Sequence, residues 1–295
     1  MEIRLERILC PLDFSEFSAR AFDYAQSLAR HYRCSLLIEH VVQPIVSAYP
    51  AYVDPEVVEK VSQGLRHYAE DELRAFLKSH SRNGMQVESL LREGEVTDTI
   101  LATAEARAVD LIVMGTHGRH GLDRWLVGSV TEKVLRKARC PVLTVCKPVH
   151  DFVSPEEKPD PVHLSRLVVA VDFSACSERA VRYAVSLAGA YDAELSLLHV
   201  LEDFPPSKDL PAVTAEAVHQ LEGLLTQAER TACATKTRLR VGKPYEEIVR
   251  YARELDADLI VTGVRGRNAL DLALFGSTTQ RVIEQGPCPV LAVHL

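Results

Sequence analysis

The spacing Gly115-x2-Gly118-x9-Gly128-Ser129 occurs twice in this chain, the second time as Gly263-x2-Gly266-x9-Gly276-Ser277. In each copy the first glycine closes an apolar run, Asp110-Leu-Ile-Val-Met-Gly115 or Asp258-Leu-Ile-Val-Thr-Gly263, and the serine opens a stretch with helical character. The local order is strand, loop, helix start. Glycine reaches φ > 0 without strain and has no Cβ to obstruct a ligand, while the free N–H groups of a helix N-terminus attract an anion. The pattern predicts a phosphate cradle, present in duplicate.

The duplication extends beyond the glycines. Ile8-Leu-Cys-Pro-Leu-Asp13-Phe-Ser15 leads into Ser18-Ala-Arg-Ala-Phe-Asp-Tyr24-Ala-Gln-Ser-Leu28-Ala, and Leu167-Val-Val-Ala-Val-Asp172-Phe-Ser174 leads into Ser177-Glu-Arg-Ala-Val-Arg-Tyr183-Ala-Val-Ser-Leu187-Ala. Each is an apolar strand followed by an amphipathic helix, with Ala21, Tyr24, Ala25 and Leu28 on one face. Second strands follow, ending at Val41 and Val200. The copies then diverge, with a helix expected from about 56 to 80 in the first and from about 214 to 232 in the second. Third strands end at Gly94 and Gly242, and helices near 97–108 and 245–255 lead into the glycine patterns. Pro141-Val-Leu-Thr-Val145 and Pro289-Val-Leu-Ala-Val293 close the two repeats as strands.

Strands alternating with helices imply parallel pairing through right-handed crossovers, and continuously apolar strands imply a sheet covered on both faces. The expected fold class is α/β, two tandem doubly wound parallel-sheet sandwiches of about five strands each. The expected domains are 1–147 and 166–295, joined by a linker at 148–165 that is rich in proline and charge. A chain of 295 residues is long enough for two such cores.

Net charge −7 argues against non-specific nucleic-acid binding. No apolar stretch is long enough to cross a bilayer and the first residues lack a signal-peptide layout, so a cytosolic location is expected. The seven cysteines are scattered without C-x-x-C spacing and are read as buried reduced thiols. His117 and His120 lack a third ligand at useful spacing, so no metal site is assigned to them.

The paired glycine pattern resembles the nucleotide-binding signature of the universal stress protein family, G-2x-G-9x-G-(S/T), and both copies fit its spacing. In an open α/β sheet the ligand site lies beyond the carboxyl ends of the strands, where Asp13, Asp172, Val41, Val200, Gly115 and Gly263 would gather. A carboxylate there can accept hydrogen bonds from ribose hydroxyls or a base amine, and a valine can flank a flat base; Asp13 is also readable as a helix N-cap or turn residue helped by Ser15, a role compatible with the first. The resemblance implies adenine nucleotide, ATP or AMP, with adenosine near Asp13 and Val41. The positions it implies are Pro11, Asp13, Val41, Gly115, Thr116, His117, Gly118, Arg119, Gly121, Gly128, Ser129, Val130 and Thr131. In the second copy they are Ala170, Asp172, Val200, Gly263, Arg265, Gly266, Arg267, Gly276, Ser277, Thr278 and Thr279. The second loop has two arginines but lacks the third glycine and the histidine, which favours the first site.

Magnesium would arrive with a nucleotide, since it needs few protein ligands. The resemblance also implies that the closing strands pair across a local two-fold axis, making the halves a pseudo-dimer. Further association of two chains into a homodimer is also expected, as are protein partners that the sequence does not identify. Walker, G-x-S-x-G, H-E-x-x-H and G-x-G-x-x-G patterns are all missing from the sequence. The leading reading is a nucleotide-responsive stress or regulatory protein; the alternatives are a weak ATP hydrolase or phosphoryl or nucleotidyl transferase, and an interaction scaffold without bound nucleotide.

Overall fold

Strands that are apolar on both sides need cover on both sides, and the chain supplies it from alternating helices. The computed structural model describes residues 4–44, 55–80, 87–117, 127–146, 162–202, 210–266 and 276–295. The first repeat runs β1 (Arg7–Pro11), α1 (Glu16–Tyr32), β2 (Ser35–Val42), α2 (Pro55–His80), β3 (Val87–Glu93), α3 (Val96–Ala106), β4 (Leu111–Gly115), α4 (Ser129–Lys137) and β5 (Val142–Val145). The second runs β6 (Arg166–Val171), α5 (Ala175–Tyr191), β7 (Glu194–Leu201), α6 (Leu210–Gly223), α7 (Gln227–Ala232), β8 (Thr235–Val241), α8 (Pro244–Glu254), β9 (Leu259–Gly263), α9 (Ser277–Gln285) and β10 (Val290–Val293).

One helix expectation fails. The single helix expected from about 214 to 232 is two, because α6 ends at Gly223 and Thr226 opens α7 with a reciprocal capping box to Glu229. The first-repeat counterpart, α2, runs uninterrupted through 26 residues.

The ten strands among the described residues form one sheet in the order β3-β2-β1-β4-β5-β10-β9-β6-β7-β8. Pairing is parallel within each repeat and antiparallel at the single join, where Val142, Leu143 and Thr144 face Ala292, Leu291 and Val290. The expected pseudo-dimer is thus a continuous sheet with a local two-fold axis at the Leu143–Leu291 pair. Alternate strand residues point to opposite faces. Ile8, Ile38, Val113, Leu143 and Leu291 pack under α1, α2 and α5, while Leu9, Leu37, Ile112, Val142 and Val290 pack against α3, α4, α8 and α9. Each of these two apolar layers contains residues of both repeats, so the hydrophobic contact is unbroken across the join.

Polar contacts reinforce it. The His31 ring stacks on Tyr191 at 4.5 Å, bringing the C-terminal ends of α1 and α5 together. At β10's end, His294 Nε2 lies 2.7 Å from the Leu135 carbonyl of α4. Within each repeat one aspartate fixes the strand starts: Asp110 Oδ2 accepts from the N–H groups of Glu6 and Arg7, and Asp258 Oδ2 from those of Ser165 and Arg166. Ser165 and the buried Leu164 therefore already belong to the packed second repeat. Gly94 and Gly242 end the third strands at φ 152° and 145°, a backbone state that only glycine adopts readily.

Glu39 is buried within β2 where the second repeat has Leu198. Thr103 Oγ1 donates to its Oε1 at 2.5 Å, whereas Oε2 has no hydrogen-bond partner among the described residues. Burial raises the Glu39 carboxyl above the ordinary glutamate range, against the lesser pull of Thr103 and Arg92. An acid whose folded pKa is raised penalises the fold once pH climbs past the unfolded value, and the penalty is complete above the folded one. Glu39→Gln should therefore raise the melting temperature at pH 7.5 and leave it unchanged at pH 4; an equal effect at both pH values would contradict a buried charge.

His294 gives the opposite acid response. Its Nδ1 is buried without a partner among the described residues. Burial is the largest influence lowering its pKa, joined by Arg265 and Arg179 and opposed by the backbone of Leu135 and Cys140. A depressed histidine contributes stability that is present above the unfolded value of about 6.5 and lost as pH falls toward the folded one. The loss of melting temperature between pH 7.5 and 5.5 should shrink in His294→Gln, which keeps a donor but does not titrate. An unchanged loss would locate the acid sensitivity elsewhere.

Candidate functional site

Both repeats build the same rim. Beyond β1, Asp13 Oδ1 accepts from the Ser15 N–H at 3.0 Å and from its hydroxyl at 2.6 Å. Ser15 in turn caps α1 by accepting from the Ser18 N–H at 3.2 Å. Asp172, Ser174 and Ser177 repeat this at the start of α5, with distances of 3.0, 2.6 and 3.2 Å. The aspartate is thus the turn residue and the serine the cap.

Between them Phe14 and Phe173 hold φ of 60° and 62°, an uncommon state for an aromatic residue. Each ring lies against a histidine from the neighbouring strand, Phe14 on His40 at 4.5 Å and Phe173 on His199 at 4.7 Å. Those histidines also bond the last carbonyls of the first-strand segment, His40 to Leu12 and His199 to Val171, both at 2.7 Å. Nothing in the glycine pattern pointed to these histidines. Their signal was recurrence at one position in both repeats, directly before Val41 and Val200.

The first glycines of the two patterns are required by packing. A Cβ on Gly115 would stand 2.8 Å from Phe17 backbone, and one on Gly263 2.8 Å from Cys176 and 2.9 Å from the Ser177 nitrogen. Neither has positive φ. They let the N-termini of α1 and α5 lie directly on the ends of β4 and β9. Thr131 and Thr279 are buried and donate their hydroxyls to the Gly115 and Gly263 carbonyls at 2.9 and 2.8 Å.

Beyond this packed base the rim opens. Gly128 and Gly276 are the N-caps of α4 and α9, with no side-chain capping bond, unlike the serine-capped α1 and α5. Ser129 and Ser277 are exposed at the first helical turn, beside the half-buried Val130 and Thr278. The bonds from Gly128 N–H to the Thr116 carbonyl (2.7 Å) and from Gly276 N–H to the Val264 carbonyl (3.1 Å) close each loop at its base. A Cβ on Gly266 would lie 2.9 Å from Asp172 Oδ2, so Gly266 sits directly against the aspartate.

His117 packs on Phe17 at 4.9 Å and pairs its Nδ1 with Thr116 Oγ1 at 2.9 Å, leaving a buried Nε2 with no partner among the described residues. Arg265 holds the equivalent place, its carbonyl accepting from Ser174 Oγ at 3.3 Å. Pro11 is the last residue of β1 and Ala170 the last but one of β6. Gly118, Arg119, Gly121, His120 and Arg267 lie outside the described residues. Next to the first rim a cavity of about 330 Å³ opens between β2 and α2, lined by Phe14, His40, Val41, Val42, Leu65 and Tyr68 among others.

The two repeats thus build one rim twice on a shared α/β sheet, and comparison with known proteins gives the class. The profile of the universal stress protein family matches residues 4–145 and again 163–294. The chain belongs to the universal stress protein family and carries two of its domains in tandem. It is 34% identical to a universal stress protein of Methanocaldococcus jannaschii over 143 residues, spanning 48% of this chain and 83% of that one. A universal stress protein of Mycolicibacterium smegmatis is 27% identical and is matched along 97% of this chain and 96% of its own. In fold, the crystal structure of a universal stress protein from Archaeoglobus fulgidus DSM 4304 is similar with a TM-score of 0.67 at 24% identity, covering 98% of this chain and 96% of that one. Among the described residues no helix is long and apolar enough to cross a membrane.

Two kinds of glycine can be told apart by substitution. Gly115→Ala and Gly263→Ala should each cost about 1–3 kcal/mol, since the new methyl meets backbone that cannot turn aside. Gly64→Ala, in α2 with open space around it, should instead gain up to about 1 kcal/mol. Urea unfolding of the three variants measures this, and neutral behaviour of Gly115→Ala and Gly263→Ala would remove the packing role.

Proposed function

We propose that each repeat binds an adenine nucleotide, ATP or AMP, at the carboxyl rim of its sheet, and that the protein acts as a nucleotide-responsive stress or regulatory protein in the cytosol. The observation carrying this reading is the pair of glycine-led helix starts, α4 and α9, whose first N–H groups no side chain caps. Such a terminus offers donors and a partial positive charge to phosphate, with the exposed Ser129 or Ser277 hydroxyl beside it. In the first repeat the orphaned His117 Nε2 would add a donor; in the second, Arg265 stands at the equivalent sequence position and its guanidinium would serve.

Asp13 and Asp172, each with Oδ1 committed to the turn, are held where a ribose would reach them. The apolar cavity beside Val41 fits a flat base. Pro11 at the end of β1 and Ala170 at the last position but one of β6, together with Gly118, Arg119, Gly121 and Arg267, complete the proposed contacts. Magnesium would enter on the phosphates and keep most of its waters.

Calorimetric titration of ATP and AMP into the parent, Ser129→Asp, Ser277→Asp and the double variant tests this. Aspartate in the first turn suits the helix but sets a like charge against phosphate. Two sites are expected in the parent, with one weakened by about ten-fold or more in each single variant and both weakened in the double one. Binding in the double variant with the parent's affinity and stoichiometry, or no binding to the parent, overturns the proposal.

A further inference from the structure

The antiparallel join between β5 and β10 fixes which residues face each other just past its ends. Its ladder pairs Val142 with Ala292, Leu143 with Leu291 and Thr144 with Val290. Continuing that register by two residues in one direction sets Cys140 opposite His294, and by two in the other sets Cys146 opposite Cys288. Pro141 and Pro289 occupy the intervening positions. Having no N–H, they stop the ladder without turning the strands away, since their carbonyls still accept from Ile112 and Ile260 at 3.1 Å.

The reach across the join at these positions is visible at the Cys140 end. His294 touches the Leu135 carbonyl at 2.7 Å and is influenced by the Cys140 backbone. By the local two-fold, Cys146 stands to Cys288 as His294 stands to Cys140. Thr144, on the same face of β5 as Cys146, leans toward the partner strand and donates to the Val290 carbonyl at 3.1 Å. Directly opposed residues of an antiparallel pair have Cα atoms about 4.5–5.5 Å apart with side chains on one face, inside the roughly 4.4–6.8 Å that a disulfide spans.

We propose that Cys146 and Cys288 are a redox pair that a peroxide oxidises to a disulfide, clamping the two repeats together at their join. Both thiols are free in the structure; Cys288 is fully buried and Cys146 partly exposed. Cys146 is therefore the point of entry. Its thiolate attacks a peroxide oxygen, giving sulfenic acid and releasing water or an alcohol. The Cys288 sulfur then displaces the sulfenic oxygen as water, so two thiols and one hydrogen peroxide become one disulfide and two waters. A dithiol reductant reverses the change. Burial raises both thiols above the ordinary cysteine range, and the proximity of Cys146 raises Cys288 further. The reaction is accordingly slow at neutral pH and quickens as pH rises.

The test exposes the full chain to hydrogen peroxide, blocks remaining thiols under denaturing conditions, and maps the peptides by mass spectrometry with and without dithiothreitol. The expected product is a reducible link between the Cys146 and Cys288 peptides, with two fewer blocked thiols per chain. It should be absent in Cys146→Ser and in Cys288→Ala and retained in Cys140→Ser, which removes the other cysteine of the same segment. The oxidised parent should also melt at higher temperature than its reduced form. Alkylation of Cys146 and Cys288 as in untreated protein, their oxidation to separate sulfinic acids, or a link that survives Cys146→Ser would each overturn the proposal. Cys146→Ser, at a partly exposed position, keeps the test informative if Cys288→Ala folds poorly.

Discussion

Val142, Leu143 and Thr144 against Ala292, Leu291 and Val290 turn two five-stranded sheets into one. Each repeat alone would leave its last strand as an open edge, with unpaired backbone groups and uncovered apolar side chains. Pairing satisfies both edges at once. It also places Leu143 and Leu291 in one apolar layer and Val142 and Val290 in the other, so that both faces of the sheet are continuous from one repeat into the next. The helix contacts between His31 and Tyr191 and between His294 and Leu135 follow from that placement.

The rim depends on a second constraint, close approach. Because Gly115 and Gly263 admit the starts of α1 and α5 against the ends of β4 and β9, the turns carrying Asp13 and Asp172 are pressed toward the loops that follow those strands. Serine caps, left-handed phenylalanines and strand-end histidines then hold each turn in the same pose twice. The threonine hydroxyls of α4 and α9 fix the opposite wall. Rigidity on both sides surrounds two helix starts that the protein leaves without side-chain caps.

Much of this was legible in the residues. Alternating apolar runs and amphipathic stretches gave the element order, and recurrence of Asp-Phe-Ser and of the spaced glycines marked the rim. The family resemblance added the join but not its register. Other features were hidden because their cause lies at a distance in sequence. The packing demand on Gly115 and Gly263 is not visible until Phe17 and Cys176 are seen against them. Glu39 reads as an ordinary polar position until Thr103 of α3 is seen bonded to it in a buried setting. The break before α7 was readable from Gly223 and the Thr226–Glu229 capping box, but the apolar residues on either side suggested one continuous helix. The facing cysteines needed the strand pairing, which no local pattern states.

Joining the repeats in one chain has a consequence for what the join can contain. In an assembly of two identical subunits, any substitution at a two-fold interface is made twice, and a residue and its symmetry mate cannot differ. Here Cys146 and His294 occupy matching positions and are different residues, so one end of the join brings two sulfurs together and the other a sulfur and an imidazole. Covalent continuity has made the two ends independently variable, and the interface can carry distinct chemistry at each end while its central pair, Leu143 with Leu291, stays the same.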